Sequence, residues 1–206
     1  EDCIKQFYDN ITKPVKFKSI VGEDQFTKSF DIYKYKYVVE LSGINSADGY
    51  LNKNFKARSR KKLQKKVEII KCLNPKIIEN NYNDIDLLIE LNKKAFGERS
   101  SFNKPYRREV FHDLLKLNFD IHLLSYVIND KKEAVSFSIK YNDVYVYINT
   151  GSNKNDMFNL GSYVIYQQIE RAIESKAKYL DAGMGDLGWK EIWHLGKSPQ
   201  YTFEKK

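Results

Sequence analysis

The sequence predicts an α+β (mixed α/β) domain, a mostly antiparallel sheet flanked by helices. Three observations predict it. From Val67 onward the segments read strand, helix, helix, three strands, long helix, strand, short helix, strand. The three central strands are joined by the hairpin-like turns Asn129-Asp130-Lys131-Lys132 and Asn142-Asp143, which makes them antiparallel, and one crossover helix follows them. The composition, 42% apolar with 12 Phe, 15 Tyr and 2 Trp in 206 residues, supplies enough apolar surface for a core.

The elements follow from local pattern. Val15–Ile20 reads as a short strand, and Tyr33–Leu41 alternates bulky and charged residues as a half-exposed strand does. Ser42–Asp48 is turn-rich. Leu51, Phe55, Leu63, Val67 and Ile70 then fall on one stripe, with Ser59 the missing member, so the spacing predicts an amphipathic helix through the basic segment 53–66. Glu68–Leu73 reads as a strand stopped by Asn74-Pro75. Asp84 is placed to cap a helix that buries Ile85, Leu88, Leu91 and Ala95 and stops at Gly97. Pro105 suits the first turn of a helix over Tyr106–Leu117. The strands Ile121–Ile128, Glu133–Tyr141 and Val144–Thr150 precede a long helix, Leu160–Ser175, buried through Ile165, Ile169, Ala172 and Ile173. Tyr179–Ala182, a short helix Trp189–Trp193 and a last strand at Tyr201–Phe203 complete the order.

Charge is concentrated. The net charge is +8, and eight basic residues with no acid lie between Lys53 and Lys66, so the rest of the chain is neutral. Arg58, Lys61, Lys62 and Lys65 are therefore the first place to look for an anionic partner. Cys3 and Cys72 are too few for a disulfide framework and lack metal-ligand spacing; Cys72 reads as inert core and no metal is expected. No apolar run approaches the roughly 20 residues of a membrane span. The chain starts at Glu1 with neither Met nor an apolar leader, which reads as a trimmed, reduced, cytoplasmic protein. No P-loop, Gly-x-Gly-x-x-Gly, His-Glu-x-x-His or Gly-x-Ser-x-Gly is present, which disfavours the common nucleotide, zinc-protease and hydrolase chemistries.

Three stretches, in order, narrow the reading. They are Tyr37-Val38-Val39-Glu40-Leu41 with the cationic run Lys56–Lys66, Leu160-Gly161-Ser162 after a strand ending Asn149-Thr150-Gly151, and Leu180-Asp181-Ala182-Gly183-Met184-Gly185-Asp186 followed by Trp189-Lys190 and Trp193. Together they resemble the GNAT acyltransferase superfamily, in its FemAB-like and CelD-like branch. The resemblance covers roughly Tyr35–Trp193 and implies a GNAT fold over 51–206, with residues 1–50 as the remnant of a first domain. It implies acyl transfer to an amine from acyl-CoA such as acetyl-CoA or, in FemAB-type members, from aminoacyl-tRNA. Sugar amines and peptide amines are both open as acceptors.

Donor phosphates are expected at Asn159, Leu160, Gly161 and Ser162, since a helix N-terminus offers N–H groups and partial positive charge. This loop departs from the superfamily pattern by having one glycine and an acid, Asp156. Asp181 and Asp186 are candidate bases, Lys190 a candidate for neutralising a developing oxyanion, and Tyr147 a candidate general acid. Arg99 falls where related enzymes often carry an Arg near the acceptor, and Trp189 is a possible substrate platform. The main alternatives are a tRNA-dependent peptidyl transferase and a non-catalytic module that holds nucleic acid or membrane on the basic helix.

Overall fold

The structure, a computed structural model, describes residues 5–6, 9–21, 25–153, 157–185 and 188–205. The chain forms two compact units, Glu40–Asp181 and Glu1–Val39 with Ala182–Lys206. The division does not fall at residue 50. The reason lies in long-range pairing: strand β1 (Val15–Ile20) aligns Lys16 with Glu204, nearly the whole chain away.

In the smaller unit, β1 and β2 (Asp31–Glu40) both pair antiparallel with β8 (Gly196–Lys205). The helix α1 (Gln25–Lys28) precedes β2, and Phe30 and Phe17 pack their rings on Phe203 at 4.9 and 5.1 Å. Trp193, which follows the short helix α7 (Trp189–Ile192), is buried. That burial favours packing over a substrate platform for this tryptophan.

The larger unit opens with two helices where the sequence predicts one. Helix α2 (Ala47–Asn54) is capped by Ser46, whose Oγ accepts from the Gly49 N–H at 3.0 Å. The chain turns extended at Phe55 and Lys56, and α3 (Ala57–Lys71) then takes Leu63, Val67 and Ile70 inward. The break explains Ser59: the stripe resets at Phe55, so position 59 has no core to face. Helix α3 also absorbs most of the stretch expected as a strand at Glu68–Leu73. Val67 and Ile70 continue its helical spacing, and the strand forms later, as β3 (Lys76–Glu79). Cys72 sits at the C-cap of α3 and is exposed, not core.

Helix α4 (Ile85–Phe96) follows, but Asp84 makes no side-chain cap bond to it. Its buried carboxylate instead accepts from Ser125 Oγ and Lys132 Nζ, both at 2.6 Å. A buried carboxylate is better stabilised by a cation and a hydroxyl than by a backbone N–H alone. Helix α5 (Pro105–Leu114) ends a turn early. The strands β4 (Asp120–Ile128), β5 (Lys131–Tyr141), β6 (Val144–Ser152) and β7 (Tyr179–Met184) come next, with α6 (Leu160–Glu174) crossing between β6 and β7. Strands β3 to β6 pair antiparallel in sequence order, and β6 pairs parallel with β7.

Helices cover both faces, so β5 is buried almost throughout. One face packs Ile121, Leu123, Val135, Phe137 and Ile139 against Leu88, Phe102 and Phe111 from α4, α5 and their connection. The other is closed by α6 through Val164, Ile169 and Ala172, with Ile165 and Ile173 only half-buried.

Candidate active site

The site grows from an irregularity in β6. Phe137 is registered with Asn149 but Ser138 with Tyr147, so Ile148 is an extra, bulged residue. A one-residue insertion swaps the faces of everything after it. Before the bulge, Tyr145 turns to α6 and its OH reaches Gln168 Oε1 at 3.3 Å. After it, Asn149 and Gly151 turn to α4 instead.

There Asn92 of α4 is buried and fully used. Its Nδ2 donates to Asn149 Oδ1 at 2.9 Å and to the Thr150 carbonyl at 2.7 Å, and its Oδ1 accepts from Ser100 Oγ at 2.7 Å. Gly151 lets the two backbones meet. A Cβ at this position would lie 2.3 Å from the Leu88 carbonyl oxygen and 2.8 Å from the Asn92 nitrogen.

Among the described residues, strands β6 and β7 pair at the registers Val144↔Tyr179, Tyr145↔Leu180 and Val146↔Asp181. Strand β6 runs on through Tyr147–Ser152. Asp181, half-buried, therefore sits at the last paired position, one residue from Tyr147. Asp181 shares the sheet face of its partner Val146, whereas Tyr147 shares that of Tyr145, so the register puts these two expected residues on neighbouring strands but on opposite faces. Tyr147 is buried, and burial pushes its phenol well above the usual tyrosine range, with a hydrogen bond to Thr150 opposing in part. A phenol so placed keeps its proton at neutral pH and gives it up reluctantly, which makes it a better hydrogen-bond donor than acid.

The first turn of α6 is partly self-satisfied. Asn159 has a left-handed backbone (φ 74°) and makes no side-chain cap bond. Its carbonyl accepts from the Ser162 and Tyr163 N–H groups at 3.0 and 3.2 Å, while the Leu160 N–H reaches Met157 O at 3.4 Å. Leu160 is wholly buried, so its side chain belongs to the core. Gly161 is exposed, and a Cβ there would meet nothing within 4 Å. The open space is what a ligand needs, and nothing in the described structure itself requires glycine there.

Lys190 is only 2% exposed, and its ammonium donates to the Gly183 and Met184 carbonyls at 3.0 and 2.9 Å. It lies over the rings of Tyr37 and Trp189 at 5.0 and 5.8 Å. This geometry fastens the end of β7, a positioning task, and Trp189 is one wall of the lysine's cage. A Lys190→Met chain is expected to lose about 2 kcal/mol, because two carbonyls lose a charged donor. A thermal melt checks this, and an unchanged midpoint would show that the carbonyls find other donors. Asp186 lies outside the described residues. Arg99 is exposed in the short turn Gly97–Arg99 after α4.

Sequence reasoning missed the buried polar layer beneath α6. Gln168 Oε1 accepts from Ser138 Oγ at 2.6 Å as well as from Tyr145, and its Nε2 donates to Tyr126 OH at 3.0 Å and Ser136 Oγ at 2.8 Å. Burial raises the Tyr126 phenol to about 12. The His122 ring packs tilted against Tyr145 at 5.1 Å, and burial lowers its pKa, with Asp120 opposing. The signal was available: a Gln and polar strand residues fall where the helix and strand spacings put the core.

Among the described residues no helix is long and apolar enough to cross a membrane, and no group of three acidic, His or Cys side chains converges as a metal site would. The bulged strand, the curtailed parallel pairing and the helix that starts beside it define the class: an acyltransferase-type α/β domain. The chain belongs to the acetyltransferase (GNAT) domain family, whose model matches residues 53–191.

Solved structures agree on the fold. A conserved protein of unknown function from Bacteroides thetaiotaomicron matches with a TM-score of 0.67 at 12% identity, covering 98% of this chain and 66% of that one. FemX matches with a TM-score of 0.63 at 12% identity, covering 92% and 65%. L-PGS from Bacillus licheniformis matches with a TM-score of 0.67 at 13% identity, covering 97% and 71%. The chain thus spans just under two thirds of the length of the first two. A search of curated proteins finds no match to the sequence.

Proposed function

We propose that this chain transfers an acyl group from a thioester donor, acyl-CoA, to an amine. The observation that carries the proposal is β6, which continues for Tyr147–Ser152 beyond its last register with β7. A strand edge offers alternating N–H and C=O groups, and the amide-bearing arm of CoA can add to it as a short strand. The phosphates would then reach the Asn159–Ser162 end of α6.

In the reaction the amine lone pair attacks the thioester carbonyl. The C–N bond forms, the C–S bond breaks, the thiolate leaves, and the ammonium proton passes to Asp181 or through it to water. A covalent intermediate has no support among the described residues: Cys72 is exposed at the end of α3, His112 bonds Asp86 and His122 packs tilted against Tyr145. Sugar or peptide amines are the proposed acceptors, and the cytoplasm the proposed location.

One observation favours a second donor. The first turn of α6 has already turned its Leu160 and Ser162 N–H groups to the Met157 and Asn159 carbonyls, which leaves less for a pyrophosphate. The aminoacyl-tRNA implied by the FemAB-like resemblance needs no such cradle.

A thermal-shift comparison with acetyl-CoA, CoA and bulk tRNA separates the two. A ligand at about 100 times its Kd adds about 2.7 kcal/mol, which raises the melting point by roughly 5–10 °C. A CoA shift supports the first reading; a tRNA shift alone supports the second. In the transfer assay Asp181→Asn is expected to lower kcat by about 10²–10⁴-fold with donor binding retained. Full activity in that variant would remove Asp181 from the mechanism.

A further inference from the structure

The acyl-transfer reading does not use the exposed face of α3, and this face is built differently from an ordinary solvated helix. Arg58, Lys61, Lys62 and Lys65 are all exposed, and at spacings of three, one and three they share a single face opposite the buried Leu63, Val67 and Ile70. Among the described residues none of the four is in an ion pair, whereas ion pairs occur on α5, α6 and several strands. Glu68, the one acid of the helix, is exposed seven residues on from Lys61, and it lines a groove with Asp48, Lys65, Lys71 and Tyr166.

The same face does not stay cationic. Continuing by four it reaches Ile69, 46% exposed, and the turn just past the helix end carries Leu73, 40% exposed. At 1.5 Å per residue the stripe runs about 16 Å from Arg58 to Ile69, cationic at one end and aliphatic at the other. A single exposed aliphatic residue means little. Two beyond four unpaired cations is the composition of a helix that lies on a charged bilayer surface.

Nucleic acid would use the cations but has no use for Ile69 and Leu73. The one aromatic in the segment, Phe55, is 6% exposed and cannot stack on bases. We propose that the face of α3 from Arg58 to Ile69, with Leu73 in the turn beyond it, docks on an anionic lipid surface, with the cations on lipid phosphates and Ile69 and Leu73 set into the upper acyl region. The docking leaves the β6 edge and Asp181 untouched, so it stands or falls separately from the acyl-transfer reading.

The test is co-sedimentation of the full chain with vesicles of phosphatidylcholine alone and of an equal mixture with phosphatidylglycerol. Wild type is expected to partition only to the mixed vesicles. Lys61→Glu/Lys62→Glu/Lys65→Glu should lose about a hundredfold in partition, since each cation at such a surface contributes about 1 kcal/mol. Ile69→Ser/Leu73→Ser should lose about tenfold, and mostly the part that survives high salt. All four side chains and both aliphatics are exposed, and circular dichroism melts should show that both variants fold as wild type does. Equal partition to both vesicle types would overturn the proposal. So would an unaffected Ile69/Leu73 variant, or a chain that ignores the mixed vesicles but shifts bulk tRNA on a gel in the same buffer.

Discussion

Replacing Gly151 by Ala is expected to lower the melting midpoint by about 6–12 °C, a loss of about 3 kcal/mol. The new methyl carbon would lie 2.3 Å from the Leu88 carbonyl oxygen and 2.8 Å from both the Asn92 nitrogen and the Leu91 Cβ. Two of those three are backbone atoms of α4, which no rotamer change can move. The helix must back away from β6. In doing so it loosens Leu88 and Ile89 in the core and stretches the Asn92 bonds to Asn149 and Thr150. Gly161→Ala is the control, because its methyl enters open space and should move stability by no more than about 0.5 kcal/mol. If the two variants melt together, the close approach of α4 to β6 is not what Gly151 is for.

Gln168→Met is expected to cost about 3 kcal/mol, although the two side chains are similar in length and volume. The amide is the hub of the layer under α6, bonded to Ser138, Tyr145, Tyr126 and Ser136. Tyr126 and Ser136 keep each other at 3.2 Å, but Ser138 and Tyr145 lose their acceptor inside the core. An orphaned buried polar group costs about 1–3 kcal/mol, more than a made hydrogen bond contributes net. Adding Ser138→Ala to Gln168→Met should therefore recover part of the loss, a coupling that a denaturation series with both single variants and the double variant will reveal. A Gln168→Met chain within 0.5 kcal/mol of wild type, by the same approximate measure, would mean that the hydroxyls rotate to other acceptors.

The layer also bears on the site. It fixes Tyr145, next to Val146, where β6 makes its last register with β7. Stability lost there should appear as poorer donor binding as well as an earlier melt.

What the sequence determined by itself was whatever a local period can encode. Three strand-like runs between short turns gave the strands of Ile121–Thr150, and those two turns made them antiparallel. The spacing of Ile85, Leu88 and Leu91 gave α4 and its Gly97 stop, and the stretch after Asn159 gave α6. The order of those elements, with the three matched stretches, carried the family resemblance. Where two local signals competed, the reading failed: at Glu68–Leu73 a short apolar run looked like a strand, but Val67 and Ile70 were already committed to the inner face of α3.

Only the tertiary structure decided the rest, because each remaining feature joins residues that no period relates. The bulge at Ile148 is a mismatch between two strands and exists in neither alone. It turned Asn149 and Gly151 to α4 and so gave Gly151 its reason. The parallel registry put Asp181 beside Val146, whereas the burial of Lys190 against the Gly183 and Met184 carbonyls gave an expected catalytic cation a structural task. Asp84 stood at the right place for a cap, yet its carboxylate was claimed by Ser125 and Lys132, which are neighbours only once the sheet has formed. Local sequence sets backbone preference over a few residues, worth tenths of a kcal/mol each. Buried polar groups and backbone contacts, worth about 1–3 kcal/mol each, are settled by distant partners.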